Sequence, residues 1–129
     1  MIQPVDALSH SFLIHRDLSV TAAARPEGAP LRIDGMVMGI VTMEHSAPHG
    51  GEVHPDGDEI LYVISGKARV IGESAPDDPL EMGPGDACIV RAGEWHRVEI
   101  LEKTQLIHVT AGPNGDHRPL AADPGDAAV

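Results

Sequence analysis

The 129-residue chain carries 20 acidic against 9 basic residues, a net charge of −11 with histidine neutral, and 42% of it is apolar. That length makes one domain around one core, and the apolar share excludes wholesale disorder. Three aromatics, Phe12, Tyr62 and Trp95, on so acidic a chain supply neither a stacking platform nor a cradle for phosphate, so nucleic acid is excluded as a partner.

Residues 1–30 read as an N-terminal arm. Leu8, Phe12 and Leu13 allow a short helix or an edge strand within Val5–Leu18, and Ala22 to Pro30 breaks any regular pattern with two prolines and a glycine. From residue 31 to 112 the signals are those of β-structure. Gly35–Met43 is β-branched and methionine-rich, with Gly39 marking a bulge or a close contact. Glu52-Val53-His54 is a short strand between Gly50-Gly51 and the turn Pro55-Asp56-Gly57-Asp58. Glu59–Ser65 follows, then a turn at Gly66-Lys67, then Ala68–Ile71. Beyond the Pro76–Pro79 loop come Leu80–Met82, Asp86–Arg91, Trp95–Leu101 and Thr104–Thr110. Turn signals every 8–12 residues or so predict an all-β sandwich or barrel. Residues 113–129 have little to bury and are expected to form a disordered C-terminal tail.

Strand alternation gives this barrel its chemistry. Glu52 and His54 point the same way, and Glu59 shares a face with Leu61 and Val63. His96 is a polar group on the apolar face of Val98 and Ile100. A buried carboxylate needs a partner, and two imidazoles converging with one or two carboxylates suit a divalent first-row metal.

The segment Gly51–Gly66 resembles the first motif of the cupins, G-x5-H-x-H-x3-4-E-x6-G, and Gly85–His96 resembles the second, G-x5-P-x-G-x2-H-x3-N. His54-x4-Glu59-x6-Gly66 keeps the family's spacing, as do Gly85, Gly93 and His96. The resemblance implies an antiparallel double-stranded β-helix, or jelly roll, with a metal in its mouth and a homodimeric assembly. Three departures stand out: Glu52 replaces the first histidine, Arg91 the proline and Ile100 the terminal asparagine. With Glu52 as a ligand the set becomes two nitrogens and two oxygens, which favours Fe(II) or Mn(II) and leaves Zn or Ni open. The alternative is a facial triad of His54, Glu59 and His96 with Glu52 behind the ligands, while His49 is either a fourth ligand or a solvated loop histidine.

The function expected is a metal-dependent enzyme, an oxygenase or isomerase, acting on a small organic substrate. The alternative is a non-catalytic ligand-binding or sensory module with a structural metal. Met36, Met38, Ile100 and Leu106 are the expected wall of an apolar pocket. His108 faces the interior as an acid–base or substrate-binding group or is a satisfied structural histidine, and Arg91 makes a surface ion pair or holds an anionic substrate. Cys88 is a small core residue, and Tyr62 and Trp95 are packing residues. His10, His15, His45 and His117 are solvated. One cysteine rules out an internal disulfide. With no apolar run long enough to span a bilayer and no signal-like start at Met1–Asp6, a cytoplasmic protein without membrane contact is expected.

Overall fold

Nine strands follow one another in the computed structural model, which describes residues 1–28 and 30–119. They are β1 (His10–His15), β2 (Val20–Ala24), β3 (Gly35–Met43), β4 (Gly51–Val53), β5 (Glu59–Gly72), β6 (Leu80–Met82), β7 (Ala87–Val90), β8 (His96–Gly112) and β9 (Asp116–Arg118). Every pairing is antiparallel. No helix occurs among the described residues, so none is long and apolar enough to cross a membrane.

The long strands β5 and β8 build the architecture. They pair from Ile60↔Val109 to Gly72↔His96, and bulges between Val63 and Ala68 break the ladder midway. A bulge bends a strand and lets it pass from one layer to another. The front of β5 and the back of β8 thus join β7, β3, β1 and β2, while their other halves join β6, β4 and β9. The result is the expected all-β, double-stranded β-helix.

Gly66 makes the bend possible. It sits at φ +88°, and a Cβ there would lie 2.1 Å from the Lys103 carbonyl oxygen. Thr104, fully buried, stitches the same point, accepting from the Lys67 N–H and donating to the Glu102 carbonyl. The predicted turn at Gly66-Lys67 and the predicted break after Leu101 are therefore one bent ribbon, because two sequence interruptions face each other across the ladder. Leu61, Val63, Val70, Met82, Val90 and Leu106 form the core between the layers.

Other expectations resolve on the same register. The N-terminal arm forms the β1–β2 hairpin, an edge addition to β3 and not a helix. Asp116–Arg118, within the segment expected as a disordered tail, pairs with β4 as β9; residues 120–129 lie outside the described residues. Met36 and Met38 do not line the interior. Buried Val37 and Gly39 alternate with them on β3, which turns the methionines to the other face. Tyr62 is likewise exposed, on the outer face of β5. Trp95 packs, but against a cation: the Arg118 guanidinium lies 3.8 Å above its ring.

Candidate metal centre

Four side chains from three places in the chain meet between the layers at one end of the core. Glu52 lies on β4, His54 just beyond it, Glu59 begins β5 and His96 begins β8. The register pairs Glu52 directly with His96. The turn after His54 is pinned by Asp58, which accepts from the Ala92 N–H and pairs with Arg91. Arg91 thus makes the surface ion pair expected of it.

The four offer ligand atoms that all lie within 4.8 Å of one another. His96 Nε2 stands 3.0 Å from Glu59 Oε1 and 3.4 Å from Glu52 Oε1. His54 Nε2 stands 3.2 Å from Glu59 Oε2 and 3.6 Å from Glu52 Oε1. Two ligands about 2.1 Å from a shared ion are separated by roughly 3.0–3.4 Å, depending on coordination geometry. The spacing observed suits a single cation.

The hydrogen bonding suits one too. His96 Nδ1 lies 3.0 Å from the Glu94 carbonyl, an acceptor, so this nitrogen carries the proton and Nε2 of the neutral ring turns its lone pair inward. An imidazole lone pair facing a carboxylate needs a proton or a cation between them. His54 Nε2 is buried and has no aligned hydrogen-bond partner, although Glu59 is close. A buried orphan nitrogen aimed at two carboxylates fits a divalent ion.

Electrostatics lead to the same place. Burial pushes the carboxyls of Glu52 and Glu59 up, yet the close imidazoles of His54 and His96 outweigh it and hold both well below the usual carboxylate range, Glu59 at about 2. Burial pushes the two imidazoles down, and the two carboxylates raise them instead, His54 to about 9 and His96 to about 10. Two imidazolium ions and two carboxylates sum to zero. A dication with two neutral imidazoles and the same carboxylates also sums to zero, so metal exchanges for two protons with no change in site charge.

Of the other histidines, His49 reaches only Glu52, at 3.9 Å, while its Nδ1 accepts from the Gly51 N–H. His108 stands behind the site and touches Thr110, which in turn touches Glu59. The motifs single out neither Thr110 nor Gly39 as a site residue: Thr110 has only its position two residues from His108, while Gly39, read as a bulge or close contact, is the close contact, opposite His108. Cys88 packs against the core as a partly buried residue, its thiol pushed up by burial and by Glu59. An open cleft of about 520 Å³ borders His96, lined among others by Val70, Leu80, Cys88 and Val90.

A rolled antiparallel sheet with two histidines and two glutamates gathered inside it is a β-barrel with a side-chain cluster that could hold a metal ion. The family model for the cupin domain matches residues 39–112, more than half of the chain, and the chain belongs to that family. Its fold is similar to that of a conserved protein with a double-stranded β-helix domain from Klebsiella pneumoniae, at 21% identity over 70% of this chain and 80% of that one, with a TM-score of 0.56. A cupin-2 domain protein from Shewanella frigidimarina matches at 16% identity over 64% of this chain and 76% of its own, with a TM-score of 0.51. Oxalate decarboxylase from Bacillus subtilis, described by its Mn(II) centres, matches at 24% identity over 64% of this chain but 23% of its own, with a TM-score of 0.52. These likenesses are of fold. No curated protein matches the sequence.

Proposed function

We propose that this cupin is a metal-dependent enzyme acting on a small organic molecule, of the oxygenase or isomerase type, with a divalent ion held by His54, Glu59, His96 and Glu52. The observation that carries this reading is the unpartnered His54 Nε2 facing two carboxylates inside the barrel. Mixed nitrogen and oxygen donors favour Fe(II) or Mn(II) over a thiophilic ion, and the Mn(II) centres of the fold-related oxalate decarboxylase support the same choice. Bound there, the ion supplies Lewis acidity or a site for oxygen. The protein's own part is to keep both imidazoles turned inward beside the cleft that Val70 and Val90 help line. With the site neutral once loaded and the chain at −11, an uncharged or cationic substrate suits it better than a dianion.

Metal analysis of protein purified without chelator, then titration with Mn(II) and with Fe(II), tests the reading. One equivalent bound is expected; less than about a tenth of an equivalent, with no uptake of either ion, would sink it. Four protein donors are also what a closed structural site needs, which favours the second reading, a ligand-binding or sensory module. Water relaxation by bound Mn(II) separates the two, since an enzyme leaves at least one position to water.

We further propose a homodimer. On the outer face of the six-stranded layer the register aligns Ile89, Ile60, Val109, Met38, Phe12 and Ala22 in one uncharged row. An antiparallel sheet with one wet face alternates apolar and polar residues; here β5 is apolar on both. Six strands and three rows give roughly 600 Å² per copy, in the lower range of specific interfaces. Light scattering should show Ile60→Glu to be a monomer; a wild type monomeric at tens of micromolar would end the idea. A reducing cytoplasm suits the single thiol of Cys88.

A further inference from the structure

Thr110 donates its hydroxyl proton to Glu59 Oε2 at 2.6 Å. The Thr110 hydroxyl oxygen itself lies 2.8 Å from Nδ1 of His108. A hydroxyl has one proton and here the carboxylate receives it, so the bond between His108 and Thr110 must use the ring's own N–H. Donation therefore runs one way, from His108 to Thr110 and from Thr110 to Glu59. Burial holds the His108 ring below the usual histidine range, against the pull of Glu59 and Glu52, and a neutral ring has a single N–H to give. Gly39 pairs with His108 across β3 and β8, and a Cβ on Gly39 would lie 2.7 Å from His108 Nε2. The glycine within the strand is the space the ring occupies.

We infer that Thr110 and His108 are positioning residues that fix the Glu59 carboxylate for the cation, with Gly39 as the gap that admits the imidazole. This rests on the metal-site reading above and deepens it. A carboxylate with one free oxygen swivels about its last bond; Glu59 has Oε2 tied by Thr110 while Oε1 stands 3.0 Å from His96 Nε2. Partners of this kind, one bond removed from the metal, typically contribute about 10- to 100-fold in affinity.

The test is Mn(II) affinity of the full chain by calorimetry. Thr110→Val should weaken binding about 10- to 100-fold, and Thr110→Ser should recover it. His108→Leu should weaken it less, and His108→Asn, whose amide offers an N–H in place of Nδ1, should recover it. The Thr110→Val/His108→Leu double variant should bind no more weakly than Thr110→Val alone, because the ring acts only through the hydroxyl. Unchanged affinity in Thr110→Val, or losses that add in the double variant, overturns the inference. A second readout needs no metal. The ring ¹⁵N shifts of His108 in metal-free protein should show the Nδ1–H tautomer, and an Nε2–H tautomer overturns the inference even if a variant fails to fold. Should the wild type bind no Mn(II), the metal-site reading falls while the tautomer still decides the hydrogen-bond chain.

Discussion

Two ends of one inner face behave in opposite ways. At the core end, Leu61 and Val63 of β5 pack on Met82 and Leu106, and burial itself is the stabilising event, about 1.5–3 kcal/mol for each large side chain. Two residues earlier on the same strand face, Glu59 is just as buried, at 3% exposure. There burial opposes the charge on every one of the four groups, and only their mutual pairing keeps them ionised. Buried ion pairs of this kind add little net stability. What lies between the layers thus changes from an apolar core that holds the fold to a charged cluster that could hold an ion.

The sharpest way to break that comparison is to damage each end separately. His96→Ala removes a fully buried donor and should lower Mn(II) affinity by more than about a thousandfold, roughly 4 kcal/mol, measured by calorimetry. Leu61→Ala should leave that affinity within about threefold of the wild type and cost about 2–5 kcal/mol of stability in denaturant unfolding. If Leu61→Ala abolished metal binding, or His96→Ala left it intact, the two ends would not be separate.

Within the metal end the two carboxylates are unequal. Glu59 is buried and tied to Thr110, whereas the side chain of Glu52 is 33% exposed and brushes His49. Glu59→Gln should therefore weaken Mn(II) binding about a hundredfold, and Glu52→Gln about tenfold, by the same titration. Equal losses would show that Glu52 binds the ion as firmly as Glu59.

These differences were partly legible in the chain. Period-two alternation placed Glu59 beside Leu61 and Val63, and the spacing from His54 to Gly66 and from Gly85 to His96 named three of the four converging residues, with Glu52 standing where the motif has its first histidine. What stayed hidden was long-range register. Thr110 is an ordinary strand residue until β8 sets it beside Glu59, 51 residues away in sequence, and Gly39 reads as a close contact whose partner, His108, only the pairing of β3 with β8 identifies. Met36 and Met38 failed as pocket residues for a related reason: composition shows that β3 is apolar, and only burial shows which of its faces is inside. Gly66 reads as a turn because turns and bulges ask for the same positive φ; the partner strand decides between them.

Acidity separates the ends by a smaller amount, readable as a few degrees of melting temperature. The imidazoles of His54 and His96 are raised, to about 9 and about 10, from the ordinary 6.5. In metal-free protein their contribution is full below about pH 6.5 and is lost as pH climbs through 9 to 10. Glu59, lowered to about 2 from 4.5, contributes above about pH 4.5 and is lost as pH falls through 2. The metal-free protein should thus melt highest between about pH 4.5 and 6.5 and decline by pH 9. With saturating Mn(II) the trend reverses, because the ion takes the place of the two imidazole protons and binds better as they leave. The gap in melting temperature between loaded and metal-free protein should widen from pH 6 to 8, and calorimetry in buffers of different ionisation enthalpy should count close to two protons released per ion. A constant gap, or no proton release, would mean that the four side chains hold each other and not a metal.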